Sequence, residues 1–386
     1  VVVDGAHHLN DPASASARLV RDLRTRHLLL LTATPVVRDL SDLINLADLI
    51  SPGVLRGAGG GPSAVNRNLA TVMVRHRQAD LGGLSLAPTV RVETSTLTPT
   101  VPEAILYKLI ADRIRQYGRS ASPAQVAAFL SALRLAESSP RGLLAAAGKL
   151  GWDDLSRVIG PIERPSKADA VVEVVRRHVE KGEKVVVVTS FRRTQGFVSG
   201  VLTTAGIKSA VFHGSLSRRQ KDQAIKSFRG PVDVLLTTDA GAEGRNLRFC
   251  DVLVNFDLPW DPLLLARRVG RVVGIGKRHD VTIINLVGRG TFEAALLNIF
   301  QARLNLFELT VGEVDLVLGR IGEDHDFERS LFDAYLASED ESDFASRRDR
   351  LGEGLAAARQ DYELSKQRCD SVVAAHTGTE ATASAT

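Results

Sequence analysis

Four short apolar runs in the middle of the chain constrain its fold most strongly: Val185–Thr189, Ser209–Phe212, Val232–Leu236 and Val252–Phe256. Each has the length and composition of a buried strand. Helical spacing of apolar residues fills the spans between and before them, over Lys167–Glu180, Thr194–Ala205 and Ser217–Phe228. Short runs alternating with amphipathic helices build a parallel sheet with helices on both faces, since each parallel connection needs a crossover. Ligands of such sheets sit beyond the carboxyl ends of the strands. Three polar loops, Thr189-Ser190-Phe191, His213-Gly214-Ser215 and Thr238–Asn246, fall at that edge.

The last loop is punctuated by Gly241 and Gly244, small residues that let backbone approach a bound group. After Val252–Phe256, the residues Asp257, Pro259 and Trp260 break the pattern. Arg267-Arg268-Val269-Gly270-Arg271 is then expected at the start of a helix. Strand, Gly loop, strand and Arg cluster is a layout in which backbone N–H groups and fixed cations hold phosphates.

Composition narrows the class. With 44% hydrophobic and 24% charged residues, 386 positions suffice for two soluble domains. No apolar run approaches the ~18–20 residues of a membrane span, and with no basic and apolar opening stretch in the given residues, no secretory signal is expected. Two cysteines, Cys250 and Cys369, lack CxxC spacing, which excludes a cysteine zinc site and points to a reducing, cytoplasmic setting. The net charge of +4 and pI of about 9.2 suit a nucleic-acid partner and suit an ordinary surface equally well. The start at Val1, without Met, is expected to be a truncated one.

Val1–Val3 and Leu28–Leu31 read as strands and Asp39–Ile50 as a helix. Arg56–Pro62 is Gly-rich and expected to be mobile. Arg75-His76-Arg77 is a basic segment, and Thr89–Thr94 is extended. Residues 118–163, rich in Ala, Ser, Leu and Gly, read as a helical insertion with a linker. Residues 291–318 read as helical, with an apolar face of Leu296, Ile299, Phe300, Leu304, Phe307 and Leu309. A charged helix is expected over 346–368, and a disordered tail after Cys369.

Thr238-Asp239-Ala240-Gly241-Ala242-Glu243-Gly244-Arg245-Asn246-Leu247-Arg248 resembles motif V of superfamily-two helicases of the Swi/Snf type, close to TDAGGEGLNLQ. Asn255-Phe256-Asp257-Leu258-Pro259-Trp260-Asp261-Pro262 resembles the NYDLPWNP that follows it. Arg267–Gly274 resembles motif VI, close to EQRIGRIHRIGQ. Asp4-Gly5-Ala6-His7-His8-Leu9-Asn10 is similar to the DEAH box, and Thr32-Ala33-Thr34-Pro35 to motif III. Arg75-His76-Arg77 resembles the basic segment before the second lobe. Lys184–Phe191 resembles motif IV, and Phe212–Ser217 the adjoining FHGGLS. The match covers residues 1–318. The helices beyond, with Phe307–Val314, are similar to an extension of the bacterial, RNA-polymerase-associated RapA branch.

The resemblance implies an α/β fold of RecA-like parallel sheets and a set of roles. ATP with Mg²⁺ is the expected cofactor, with Asp4 holding the metal through the nucleotide. Asp4, His7 and Arg271 are the expected catalytic residues. Asp4, Gly244, Asn246, Arg268 and Arg271 are expected at the nucleotide. Thr189, Ser190, His213, Gly214 and Thr238 are expected at the backbone of double-stranded DNA, where loop N–H and hydroxyl groups suit phosphate. His213 is equally read as a capping or packing residue and is given no acid–base role. Thr32 and Thr34 are expected to couple the lobes.

The chain departs from the family where hydrolysis is concerned. Gly5 replaces the Glu that positions the attacking water, and Gly274 replaces the second Arg of motif VI. Loss of an arginine finger costs on the order of 10³–10⁵ in rate. Arg267 and Lys277 each stand where the pattern has Gln, and no G-x-x-x-x-G-K-[ST] occurs. The expected organisation is residues 1–95 as the C-terminal half of a first lobe and 96–163 as insertion and linker. A complete second lobe over 164–300, a helical extension over 301–368 and a tail over 369–386 follow. Two functions stay open. One is the C-terminal part of an ATP-dependent translocase on double-stranded DNA, not hydrolytic by itself. The other is a non-hydrolysing remnant that binds nucleic acid or a protein partner such as RNA polymerase.

Overall fold

β-Branched and leucine runs at the amino end and in the middle of the chain become two separate parallel sheets in the computed structural model. It describes residues 1–32, 35, 40–55, 68–69, 71–74, 88–118, 120–242, 247–274, 277, 279–309, 311–321 and 326–374. The chain divides into two units. Unit 1 comprises Val1–Leu84, Gly312–Asp324 and Gly354–Thr386, and unit 2 comprises Ser85–Val311 and His325–Glu353.

In unit 1, β1 (Val2–Asp4) pairs in parallel with β2 (Leu29–Leu31), Asp4 lying opposite Leu31. A 3-10 turn, Ala6–Leu9, and α1 (Ala15–Asp22) make the crossover, with the Ser14 hydroxyl accepting from the Ala17 N–H at 3.1 Å. α2 (Leu40–Ile50) carries apolar residues three and four apart, so one stripe faces inward. Leu46 packs against Ala6, Leu9 and Ala17. Leu43 and Ala47 pack against Leu55 and Leu69.

Unit 2 opens with β3 (Val90–Leu97). Four helices follow: α3 (Val101–Gly118), α4 (Pro123–Ser138), α5 (Pro140–Lys149) and α6 (Leu155–Ile159). The alternating part runs through α7 (Ser166–Val179), β4 (Val185–Thr189), α8 (Arg192–Thr204), β5 (Ser209–Phe212) and α9 (Arg218–Arg229). It continues through β6 (Val234–Thr238), the single turn α10 (Asp239–Ala242), β7 (Val252–Asn255), α11 (Pro262–Val272), β8 (Val281–Gly288) and α12 (Phe292–Ala302). The six strands are all parallel, in the order β3-β8-β7-β4-β6-β5. β4 shows why its sequence is a continuous valine run. Val185 and Val187 enter the core under one face, with Val171 and Val198, while Val186 and Val188 enter the other, with Phe212 and Phe228. A strand covered on both sides has no polar face to alternate with.

α13 (Val311–Gly319), α14 (Phe327–Ala337) and α15 (Glu341–Ala374) complete the chain. Within unit 1, Glu313 of α13 accepts from the Tyr362 hydroxyl at 3.0 Å and from Lys366 Nζ at 2.7 Å, and Arg320 donates to Ser365 at 2.9 Å. The expected single extension over 301–368 is thus divided between the two units.

Several expectations are corrected. A first-lobe boundary at 95 would cut β3, which pairs over all eight residues with β8, Val90 opposite Val281 and Leu97 opposite Gly288. Its alternation of Val90 and Val92 with Arg91 and Glu93 marks a half-exposed edge strand, and that pattern does not say which sheet receives it. Segment 96–163 is helical but no linker, because Ser138 at the end of α4 bonds Thr194 and Asp257 of the sheet's loops at 2.8 and 2.6 Å. The arginines do not open a helix. Asp261 caps the Leu263 N–H at 2.8 Å with Pro262 in the first turn, so Arg268 falls in the second turn and Arg271 in the last. α15 runs from Glu341, past Cys369, to Ala374. Arg56–Pro62, Arg75-His76-Arg77, Thr34, Gly244, Asn246 and the tail from 375 lie outside the described residues. Among the described residues, no helix is long and apolar enough to cross a membrane.

Candidate functional site

From β4 the chain crosses to β5 and returns to β6 on one side, then places β7 and β8 on the other. The crossings therefore change direction between β6, β4 and β7, the place where sheets of this kind leave a crevice. Ser190, Asp239 and Asp257 stand at the carboxyl ends of these three strands. Arg268, from the second turn of α11, joins them. Its Nε and Nη2 grip the Asp239 carboxylate at 2.6 and 2.8 Å. Its Nη1 donates to Asn255 Oδ1 at 3.2 Å and to the Asp257 carbonyl at 2.6 Å. Nη2 also reaches the Ser190 hydroxyl at 2.9 Å and Asp257 Oδ1 at 3.3 Å. All the donors of a guanidinium are engaged, and the side chain is wholly buried.

Asp257 is the counterpart. Burial alone would raise its pKa, but Arg268 and the hydroxyls of Ser138 and Thr189 outweigh burial and hold the carboxyl below the usual range. Its second oxygen accepts from Thr189 and Ser138, and its first from the Ser190 N–H at 2.8 Å. Burial likewise works against the charge of Arg268, and Asp239 with Asp257 more than restores it. Beneath this pair lies a second ionic group. Lys167 contacts Glu293 at 2.5 Å, Glu293 accepts from the Leu258 N–H at 3.1 Å, and Glu137 accepts from the Phe292 N–H at 2.7 Å. Burial raises the pKa of both glutamates, and their mutual repulsion raises that of Glu137 further.

These surroundings change the expected roles. Arg268 has no donor left for a nucleotide and acts as a joint between strand ends. Thr189 is buried and bonded to Asp257, and Thr238 is buried with its hydroxyl accepting from the Gly241 N–H at 3.2 Å. Neither side chain faces outward to DNA. Ser190 is half-buried, its N–H and hydroxyl both committed to the joint. Gly214 is exposed. His213 is buried beside it, and burial, Arg192 and Lys221 in that order lower its pKa. Arg271 is half-buried and donates to the Asp239 carbonyl at 3.1 Å. Sequence reasoning missed Gln195, whose amide donates to the carbonyls of Phe212 and Leu236, both at 2.9 Å, and so ties the ends of β5 and β6. A glutamine inside a helix gives no signal of that.

The acidic box of unit 1 is built more lightly. Asp4 is exposed and accepts from the Gly5 N–H at 2.9 Å. Gly5 is left-handed, φ 70°, and leads the 3-10 turn that carries His7. His7 Nδ1 meets the Thr32 hydroxyl at 3.2 Å, so two separately read motifs touch here. Asn45 of α2 donates to the Asn10 carbonyl at 3.0 Å and pins the turn's far end. Among the described residues, no three His, Cys, Asp or Glu side chains gather to hold a metal.

The model for the helicase conserved C-terminal domain matches residues 166–276, and the model for the SNF2-related domain matches residues 1–59. The chain is similar to YqhH of Bacillus subtilis, an uncharacterised ATP-dependent helicase. The identity is 30% over 385 residues, covering 93% of this chain and 68% of that protein. It is also similar to the RNA polymerase-associated protein RapA of Vibrio parahaemolyticus, at 36% over 149 residues, 38% of this chain and 15% of that one. Among solved structures, the SWI2/SNF2 ATPase core of Sulfolobus solfataricus in complex with dsDNA aligns with a TM-score of 0.43 and 18% identity. That alignment covers 84% of this chain and 70% of the other.

Proposed function

The chain belongs to the Snf2-type superfamily-two helicases, and from that premise we propose that it acts within an ATP-dependent translocase, binding duplex DNA and nucleotide without hydrolysing ATP by its own residues. The observation that carries this is Gly5. A hydrolytic water needs an acceptor to orient it. Gly5 offers none in its side chain, and its left-handed φ disfavours the residue that would. His7, close by, is engaged with Thr32. ATP with Mg²⁺ would bring the phosphoryl group and its charge. Within unit 1, Asp4 would take the metal's open side, and within unit 2, Arg271 is the candidate for phosphate.

DNA binding rests on the carboxyl edge of unit 2. Arg192, Arg218 and Arg219 are exposed there, and Arg192 and Lys221 act together on His213. Fixed cations beside an exposed glycine loop suit a phosphate backbone and read no sequence. The name of the RapA relatives brings RNA polymerase as a further partner, over a match limited to 15% of that protein.

Duplex affinity should fall linearly on a log–log plot against salt, by about tenfold or more between 50 and 200 mM. An affinity indifferent to salt overturns the DNA reading. Phosphate release from ATP should stay at the buffer rate with and without duplex. Release stimulated by duplex overturns the non-hydrolytic reading.

A further inference from the structure

Beyond α11 the chain passes Gly274, and there it meets an arginine from a distant segment. A Cβ built on Gly274 would stand 2.5 Å from Nε, 2.7 Å from Cζ and 2.8 Å from Nη2 of Arg248. The guanidinium of Arg248 thus occupies the space in which any side chain at 274 would begin. A Cβ there would require the guanidinium of Arg248 to move aside.

The arrangement is held from below. The Leu247 N–H donates to the Arg271 carbonyl at 3.1 Å, which joins the segment before Arg248 to the last turn of α11. Lys277 Nζ donates to the Arg248 carbonyl at 2.9 Å and to the Cys250 carbonyl, and its N–H donates to the Gly274 carbonyl at 3.3 Å. The Lys277 side chain is 2% exposed, next to Asp251 at 3.4 Å. Burying an ammonium is costly unless its hydrogen bonds are met. Here those bonds go mainly to the main chain that carries Arg248. Arg248 itself is exposed.

Each of these three residues departs from the family pattern. Arg248 stands where TDAGGEGLNLQ ends in Gln, Gly274 where motif VI has its second Arg, and Lys277 where it has Gln. In the structure the Arg248 guanidinium lies over Gly274, and Lys277 holds the main chain of both.

We propose that Arg248 is the phosphate-binding cation that residue 274 no longer supplies, acting with Arg271 on the terminal phosphate of a nucleotide. This rests on the nucleotide-binding reading above. A guanidinium suits the task because it pairs two donors with phosphate oxygens.

The test is equilibrium binding of a fluorescent ATP analogue with Mg²⁺, competed by ATP or ADP, with duplex binding measured in parallel. Arg248→Ala should weaken ATP by about tenfold to a hundredfold, the range of a hydrogen bond to a charged group. ADP should weaken less and duplex binding hardly at all. Gly274→Ala should reproduce part of the ATP loss with Arg248 still present, because its Cβ displaces the guanidinium. The double variant Arg248→Ala, Gly274→Arg should recover ATP binding. Equal ATP affinity in Arg248→Ala and the unmodified chain overturns the proposal. So does an equal loss for ATP and ADP, which would mark a structural role, or a loss confined to duplex, which would assign Arg248 to nucleic-acid phosphate. Absence of nucleotide binding in the unmodified chain overturns the underlying reading as well.

Discussion

Two strand ends in this chain carry the charged residues that point to phosphate chemistry, and they are built in opposite ways. In unit 2, Arg268 lies buried with every donor engaged, tying Asp239, Asp257, Asn255 and Ser190 together. In unit 1, Asp4 is exposed beside a left-handed glycine, and His7 meets Thr32 across 3.2 Å. Both sites match a helicase motif. The difference teaches that a charged residue fully met by the fold positions other groups, whereas one with an open side remains available to a ligand. Arg268 and Asp257 belong to the first kind, Asp4 to the second.

The largest effect expected from this contrast is on stability. Arg268→Ala leaves Asp239 and Asp257 without their cation, and Asp257 is buried. Breaking a buried pair from one side costs about 3–5 kcal/mol. Trp152 and Trp260, both in unit 2, report the loss as a shifted urea midpoint in fluorescence. Arg268→Lys should recover little, since an ammonium cannot reproduce the fork. A loss below about 1 kcal/mol for Arg268→Ala would return that residue to the ligand-binding class.

The second effect concerns the glutamates beneath the joint. Burial and the neighbouring Glu293 push Glu137 up to about 8. A carboxyl with a raised pKa stabilises the fold below its unfolded value, and that contribution is lost as pH rises through the folded value. Unit 2 should therefore be less stable at pH 8.5 than at pH 5.5, by about 1 kcal/mol or more. Glu137→Gln should flatten the profile and raise stability at pH 8.5. A steeper profile, or an unchanged one, would show that Glu137 stays ionised in the fold.

The fold was largely legible, for a physical reason. β4 falls on the residues read as a strand, Val185–Thr189, because burial on both faces leaves an uninterrupted apolar run. β5 falls on Ser209–Phe212 as read, though as a half-buried edge strand. β3 was legible as extended, but its partner β8 lies far along the chain, and local pattern does not name partners. The same limit governs the site. Arg268 stood out as a charge, but its burial depends on Asp239, Ser190 and Asp257, and Asp257 in turn on Ser138, 119 residues away. Sequence marks a chemical group. Whether the group is spent inside the fold is decided by residues brought to it from a distance. Arg248 over Gly274 is a further instance, since neither residue alone announces the other.

The smallest effect tests the lighter site. Gly5 has φ 70° and ψ 37°, a conformation that costs a side-chain-bearing residue roughly 1–2 kcal/mol. Among the described residues, only His8 and His7 ring carbons lie near a Cβ placed there, at 3.5 and 3.8 Å, so the left-handed backbone is the obstacle. Gly5→Ala should thus weaken unit 1 locally by roughly 1–2 kcal/mol, read as faster amide exchange over Ala6–Leu9 and β1. Gly5→Glu, which would return an acceptor to the strand end, should carry the same penalty, and Gly5→Asn a smaller one, since Asn tolerates the left-handed region. Equal exchange in Gly5→Ala and the unmodified chain would mean that the turn relaxes freely. The box could then regain its acceptor without strain, and the contrast between an over-determined joint and an open strand end would rest on unit 2 alone.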